Sequence, residues 1–186
     1  MNLPNKLTTA RVVLIPLFLL ALYGGYWLAA LVIFALASIT DALDGHIARS
    51  RGLVTDFGKF MDPLADKLLV TAALLAFVEF LDVPAWVVFL IIARELAITG
   101  LRTLAAGKGV VMAADKWGKV KTASQMVWIC YGLVMGFCFY NLPLGSRANW
   151  EMYLIFQAGM AVVLCTTLFS GGNYLWKNRQ LFSQMK

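Results

Sequence analysis

Charge is scarce in this sequence. Of its 186 residues, 16 are Lys or Arg and 10 are Asp or Glu, so 14% are charged, where a soluble domain carries about 25%. That shortage excludes an ordinary solvated surface. Cysteine is scarce too. Cys130, Cys138 and Cys165 all lie inside apolar stretches, with neither CxxC nor zinc-finger spacing, which excludes a disulfide scaffold and a structural zinc site and leaves small packing residues. Internal repeats and low-complexity segments are lacking, so solenoids and flexible linkers are excluded and one domain over residues 1–186 is the simplest reading. The first apolar run is too long for a cleavable leader and leads directly into further runs, so it is expected to stay in the mature protein. The net charge of +6 is spread between apolar spans and not gathered in a patch, which argues for contact with anionic membrane lipids and against nucleic acid.

What is abundant is apolar: 61% of residues are hydrophobic, and the mean hydropathy is +0.76. The expected fold is all-α, a polytopic membrane protein. With about 20 apolar residues per crossing, six transmembrane helices are expected at 5–24, 28–49, 60–81, 84–106, 119–140 and 150–176. Gly24 and Gly25 mark the first turn, Asp82 with Pro84 the third, and 141–149 the fifth. Six crossings put both termini on one side, and that side collects every basic residue except Arg147. The positive-inside rule makes it the cytoplasmic face, so the chain is expected in the cell membrane, multi-pass. The tryptophans mostly fall near span ends, as interfacial belts do.

Against this background the acids at Asp41, Asp44, Asp62 and Asp66 stand out, in the stretch DALDGHIARSRGLVTDFGKFMDPLAD. An ionised side chain near the bilayer interior costs about 2.5–3.5 kcal/mol. Asp41 and Asp44 are separated by about 60° around a helix, Asp62 and Asp66 by about 40°, so each pair shares one side of its own helix. Two carboxylates about 4 Å apart repel by roughly 4 kcal/mol at an effective dielectric near 20. Pairing with Arg49, Arg51, Lys59 and Lys67, or simple solvation, would account for one such acid. Four at this spacing call for a divalent cation, and hard oxygen ligands suit Mg²⁺ or Mn²⁺, two ions serving a displacement at phosphorus. Gly45, beside Asp44, costs its helix about 1 kcal/mol relative to alanine, which fits close approach of a ligand or a second helix; Gly58 is its counterpart. Ala48 leaves room, and Arg49 stands where a phosphate is met.

The pattern Asp41-x-x-Asp44-Gly45-x-x-Ala48-Arg49, eight residues, then Gly58-x-x-x-Asp62-x-x-x-Asp66 resembles the full signature of the CDP-alcohol phosphotransferase family. The resemblance extends to the six-helix layout and the chain length. It implies a metal-dependent transferase that displaces CMP from CDP-diacylglycerol with an alcohol nucleophile. Asp41, Asp44 and Asp62 would then be metal ligands. Asp66 would be the general base and also a ligand, and Gly45, Ala48, Arg49 and Gly58 would shape the CDP site. Asn5, Thr8 and Arg11 recur every three residues at the start of the first helix and resemble the family's N-terminal nucleotide-contacting element. Taken alone, they suit a helix start with a snorkelling arginine better than a binding set. The resemblance also implies a homodimer. His46, the single histidine, is assigned no role.

The acceptor is read elsewhere. Arg94 and Arg102 share a helix face, within an apolar segment where unpaired cations are costly. Glu95 sits about 100° from Arg94 around the helix and is not expected to partner it. Lys119 and Lys121 follow at the start of the fifth helix, about 160° apart, so one of them is expected toward lipid headgroups. Two arginines and at least one lysine suit an anionic acceptor, although a positive-inside cluster that only anchors topology would also use lysines. The runs ARELAITGLR and GKVKT resemble those of bacterial family members that take glycerol 3-phosphate, which would make that the acceptor. The alternatives are another acceptor alcohol within the family or, in a different class, a small cation transporter. Against the transporter, the acids cluster at one face and the outer half of each span lacks polar residues to continue a path.

Overall fold

The computed structural model of the protein describes residues 3–51, 56–107 and 115–179; positions 3–8, 41–51, 56–64 and 66 are described by their backbone alone. Among the described residues the regular structure is all helical: α1 Leu3–Tyr23, α2 Trp27–Arg51, α3 Asp56–Phe80, α4 Ala85–Gly107, α5 Lys116–Asn141 and α6 Ser146–Lys177. Each expected span coincides with one helix, with shifts of a few residues at the ends.

The turns follow from local chemistry. After α1, Gly25 takes φ +77°, with Tyr26 N–H donating to Ala21 O at 2.8 Å and Gly25 N–H to Leu22 O at 3.0 Å. This is the left-handed stop in which glycine avoids a Cβ penalty. Pro84 O accepts from Val87 N–H at 2.9 Å and so opens α4; Asp115 O does the same for α5, accepting from Gly118 N–H at 3.1 Å.

The chain divides into two compact units, residues 1–82 with 130–145, and residues 83–129 with 146–186. In the first unit α1 packs on α2 and α3, and α2 touches α3. The buried stripe of α1 holds Arg11, Phe18 and Leu22, and that of α2 holds Trp27, Ala30, Phe34 and Ala37, spacings of three and four that keep one face inward. Phe18 meets Phe34 with ring centroids 5.9 Å apart. Trp27 stacks on Tyr140 at 5.3 Å and meets Phe80 edge-on at 5.8 Å, and it occupies the space above Gly136 that a side chain would fill.

In the second unit α4 packs on α6, and the buried stripes change character along their length. Val87, Val88 and Ile91 on α4, Trp128 and Ile129 on α5, and Phe156 and Val163 on α6 form an apolar end. Arg94 on α4, Lys121 and Gln125 on α5, and Thr167, Ser170 and Tyr174 on α6 continue the same faces as a polar end. Trp128 Nε1 donates to Phe156 O at 3.0 Å and is seated against Gly159.

The outward faces are apolar: Leu96, Phe89, Leu154, Ile155 and Val127 are all exposed. In the second unit Trp86 and Trp150 lie at one set of helix ends and Trp117 and Trp176 at the other, all exposed, as interfacial belts require. Among the described residues α5 and α6 are each long and apolar enough to cross a bilayer, and α1 and α2 contain shorter apolar runs at Thr9–Tyr23 and Trp27–Thr40. Such surfaces suit lipid as the surrounding medium.

Candidate functional site

Of the residues expected to handle a CDP-linked donor, only Arg11 has a described side chain. It is buried on α1, on the stripe shared with Phe18 and Leu22. Asn5 and Thr8 lie on α1, Asp41, Asp44, Gly45, Ala48 and Arg49 on α2, and Gly58, Asp62 and Asp66 on α3; their side chains fall outside the described residues. Their register is nevertheless set by continuous helix. Counting at 100° per residue, positions 41, 44 and 48 continue the buried stripe of Trp27, Ala30, Phe34 and Ala37. Positions 58 and 62 fall within the face of α3 that carries the buried Ala65, Leu69, Ala72 and Ala76, with position 66 at its margin. By backbone register these positions continue the stripes that are buried further along α2 and α3, and carboxylates as a residue type are the hard oxygen donors that a divalent cation takes.

The expected acceptor residues lie in the second unit. Lys121 is fully buried, whereas Lys119 is exposed, as their opposed helical positions require. The Lys121 ammonium donates both to Glu95 Oε1 and to Gln125 Oε1. Arg94 donates from Nη1 to the same Glu95 oxygen at 3.2 Å and from Nη2 to Ser170 Oγ at 2.8 Å. Ser170 in turn donates to Thr167 O at 3.3 Å. One network therefore runs from Gln125 through Lys121, Glu95 and Arg94 to α6. Glycine makes room for it at one position: a Cβ on Gly171 would stand 3.2 Å from Arg94 Cγ, tighter than usual, whereas one on Gly118 would be in ordinary contact 3.8 Å from Arg94 Nη2.

Glu95 corrects the expectation from helical angle. The backbone angle between adjacent residues is wide, but a guanidinium on a long flexible stem can swing back to reach a neighbouring carboxylate, and the buried Lys121 fixes where that carboxylate lies. Two cations, Arg94 and Lys121, thus meet on the Glu95 carboxylate. Arg102, further along the same face of α4, is exposed. It donates from Nε to Tyr174 OH at 3.2 Å, with its guanidinium carbon 5.5 Å from the ring centroid. The structure adds Asp115, which accepts from Asn173 at 2.5 Å and pairs with Lys177 at 2.9 Å, tying the start of α5 to the end of α6.

Sequence reasoning set Glu95 aside and missed Gln125, Ser170 and Tyr174. The available signal was polar residues at core-facing positions of apolar helices, Gln125 four residues after Lys121 and Tyr174 four after Ser170. Chemically, the polar end offers a guanidinium and an ammonium, which suits an anion held by charge-assisted hydrogen bonds.

The profile of the family described as CDP-alcohol phosphatidyltransferase matches residues 1–169. The chain is 42% identical, over 95% of each chain, to a protein of Bacillus subtilis (strain 168) named CDP-diacylglycerol–glycerol-3-phosphate 3-phosphatidyltransferase. It is 41% identical to a probable phosphatidylglycerophosphate synthase of Mycobacterium tuberculosis (strain CDC 1551 / Oshkosh), over 94% of this chain and 80% of the relative. A Rickettsia felis protein with the same name as the Bacillus relative is 37% identical over 97% of each chain.

Proposed function

The chain belongs to the CDP-alcohol phosphatidyltransferase family, and from that membership we propose that it transfers the phosphatidyl group of CDP-diacylglycerol to glycerol 3-phosphate, giving phosphatidylglycerol phosphate and CMP. It is a phosphatidyltransferase of phospholipid biosynthesis. Relatives named for this reaction match it along nearly their whole length. The observation that carries the acceptor assignment is the Arg94–Glu95–Lys121 network, with Lys121 fully buried and the other two partly exposed, a cationic array suited to the phosphate of glycerol 3-phosphate and out of place around an uncharged alcohol.

The protein is a membrane protein. Its proposed arrangement is six crossings with both termini cytoplasmic, the active site facing the cytoplasm of a cell membrane, and a homodimer.

Asp41, Asp44, Asp62 and Asp66 supply the ligands for two Mg²⁺ or Mn²⁺ ions, which when bound offset the charge of the donor diphosphate. Asn5, Thr8, Arg11, Gly45, Ala48, Arg49 and Gly58 hold the CDP group. Arg94, Arg102, Lys119 and Lys121 attract the acceptor phosphate, with Lys121 buried at the site and Lys119 on the surface. Asp66 takes the proton from the primary hydroxyl of glycerol 3-phosphate. That oxygen bonds to the β-phosphorus, the bond from this phosphorus to the bridging oxygen breaks, and the electron pair leaves with CMP.

Competition among labelled acceptors tests the assignment. With CDP-diacylglycerol as donor, glycerol 3-phosphate is expected to be consumed ahead of serine, inositol phosphate and glycerol. Preference for an uncharged alcohol would refute the role given to Arg94 and Lys121.

A further inference from the structure

Glu95 is an anion set among groups assigned to bind an anion. Its carboxylate is partly exposed, with 22% of the side chain accessible, beside an arginine at 14% and a lysine at 0%. One oxygen, Oε1, takes hydrogen bonds from both cations, Arg94 Nη1 and Lys121 Nζ. Without a shared anion, like charges this close would push their heads apart. Gln125, nearly fully buried, accepts from Lys121 on its other side. Its Nε2, like Arg94 Nε, is buried with no hydrogen-bond partner among the described residues. Buried donors of this kind are costly unless a ligand or water meets them. The network thus converges on the Glu95 carboxylate, and two of its buried donors have no partner among the described residues.

We propose that Glu95 is a positioning residue for the acceptor: it clamps Arg94 and Lys121 into one array, and Arg94 Nε, from the charged guanidinium, and Gln125 Nε2, from a neutral amide, add donors that meet the phosphate or hydroxyls of the incoming polar alcohol. This rests on the acceptor reading given above. Glu95 touches neither reacting atom; it acts through the two cations.

The test uses the full-length enzyme in lipid–detergent micelles, with CMP release measured while each substrate is varied. Glu95→Gln is expected to raise KM for glycerol 3-phosphate by about 10-fold or more, the size expected for loss of a charged hydrogen bond, while KM for CDP-diacylglycerol stays within about twofold. Glu95→Asp, which keeps the charge on a shorter stem, is expected to raise it less. Gln125→Met is expected to raise the same KM alone.

Equal loss on both substrates, with no rescue by Asp, would mean a structural role and overturn the proposal. If wild type saturates with glycerol 3-phosphate but Glu95→Gln leaves that KM unchanged, this inference fails and the acceptor reading stands. If wild type shows no dependence on glycerol 3-phosphate, the acceptor reading itself fails and the inference with it. Should Glu95→Gln fail to accumulate, Glu95→Asp and Gln125→Met decide: a rise confined to the acceptor KM supports the clamp, and no rise in either refutes it.

Discussion

Arg94 on α4 donates from Nη2 to Ser170 Oγ on α6 at 2.8 Å, and this contact is the fixed point from which the guanidinium reaches Glu95. Ser170 is buried, so no solvent takes its place. Removing the hydroxyl leaves a charged donor short of a partner at a cost of about 1–3 kcal/mol. Ser170→Ala is expected to raise KM for glycerol 3-phosphate by about 3–10-fold with kcat less affected. Steady-state kinetics check this, and an unchanged KM would separate Ser170 from the acceptor site.

Packing in the first unit makes a prediction independent of chemistry. The Trp27 ring fills the space over Gly136 and stacks on Tyr140, so a methyl at position 136 cannot be added without moving a buried indole. Gly136→Ala is expected to destabilise the fold by about 1–3 kcal/mol through overpacking, seen as a lower thermal midpoint in detergent. A midpoint equal to that of wild type would show that the indole has room to shift.

Asp115 connects the start of α5 to the end of α6 with a pH signature. The hydrogen bond from Lys177 holds its carboxyl below the ordinary value of 3.8; partial burial opposes this, and Asn173 and the Lys116 backbone reinforce it. Because the folded value is depressed, the stabilisation is complete above the ordinary value and is lost as pH falls through the lowered one. Asp115→Asn is therefore expected to lower thermal stability at pH 7, and the gap from wild type should close below about pH 3.8. Half the Lys177 side chain is exposed, so added salt should narrow the gap as well. A gap constant across pH would contradict the ion-pair account.

Much of the architecture was legible because it rests on local rules. Gly24 and Gly25 stop one helix, Pro84 starts another, and apolar runs of about 20 residues set the lengths between. Helix ends were less legible: α6 begins at Ser146, four residues before the apolar run becomes dense, since a polar first turn still closes helical hydrogen bonds. The opposed placement of Lys119 and Lys121 followed from helical angle alone. The same rule misled at Glu95, because it treats side chains as fixed spokes, and Arg94 and Lys121 bend toward a common carboxylate. Gln125, Ser170 and Tyr174 escaped notice because their roles depend on which helices adjoin, a tertiary fact that one sequence does not display.

The carboxylates of α2 and α3 divide by role in the proposed mechanism, and substitution should divide them by readout. Asp66→Asn removes the base and is expected to lower kcat by about 10²–10⁴-fold with CDP-lipid binding partly retained. Asp41→Asn and Asp62→Asn are expected to raise the Mg²⁺ or Mn²⁺ concentration needed for half-maximal activity. Wild-type metal activation in both would contradict their assignment as ligands.

The central claim is that the chain transfers a phosphatidyl group to glycerol 3-phosphate, with the carboxylates of α2 and α3 proposed as metal ligands and the Arg94–Glu95–Lys121 cluster proposed to hold the acceptor phosphate. The most direct measurement is CMP release by the purified protein from CDP-diacylglycerol, with and without glycerol 3-phosphate, before and after chelation of divalent metal. The account predicts release that requires both the acceptor and Mg²⁺ or Mn²⁺, with phosphatidylglycerol phosphate formed in equal amount. No release with glycerol 3-phosphate, or release unaffected by chelation, would contradict it.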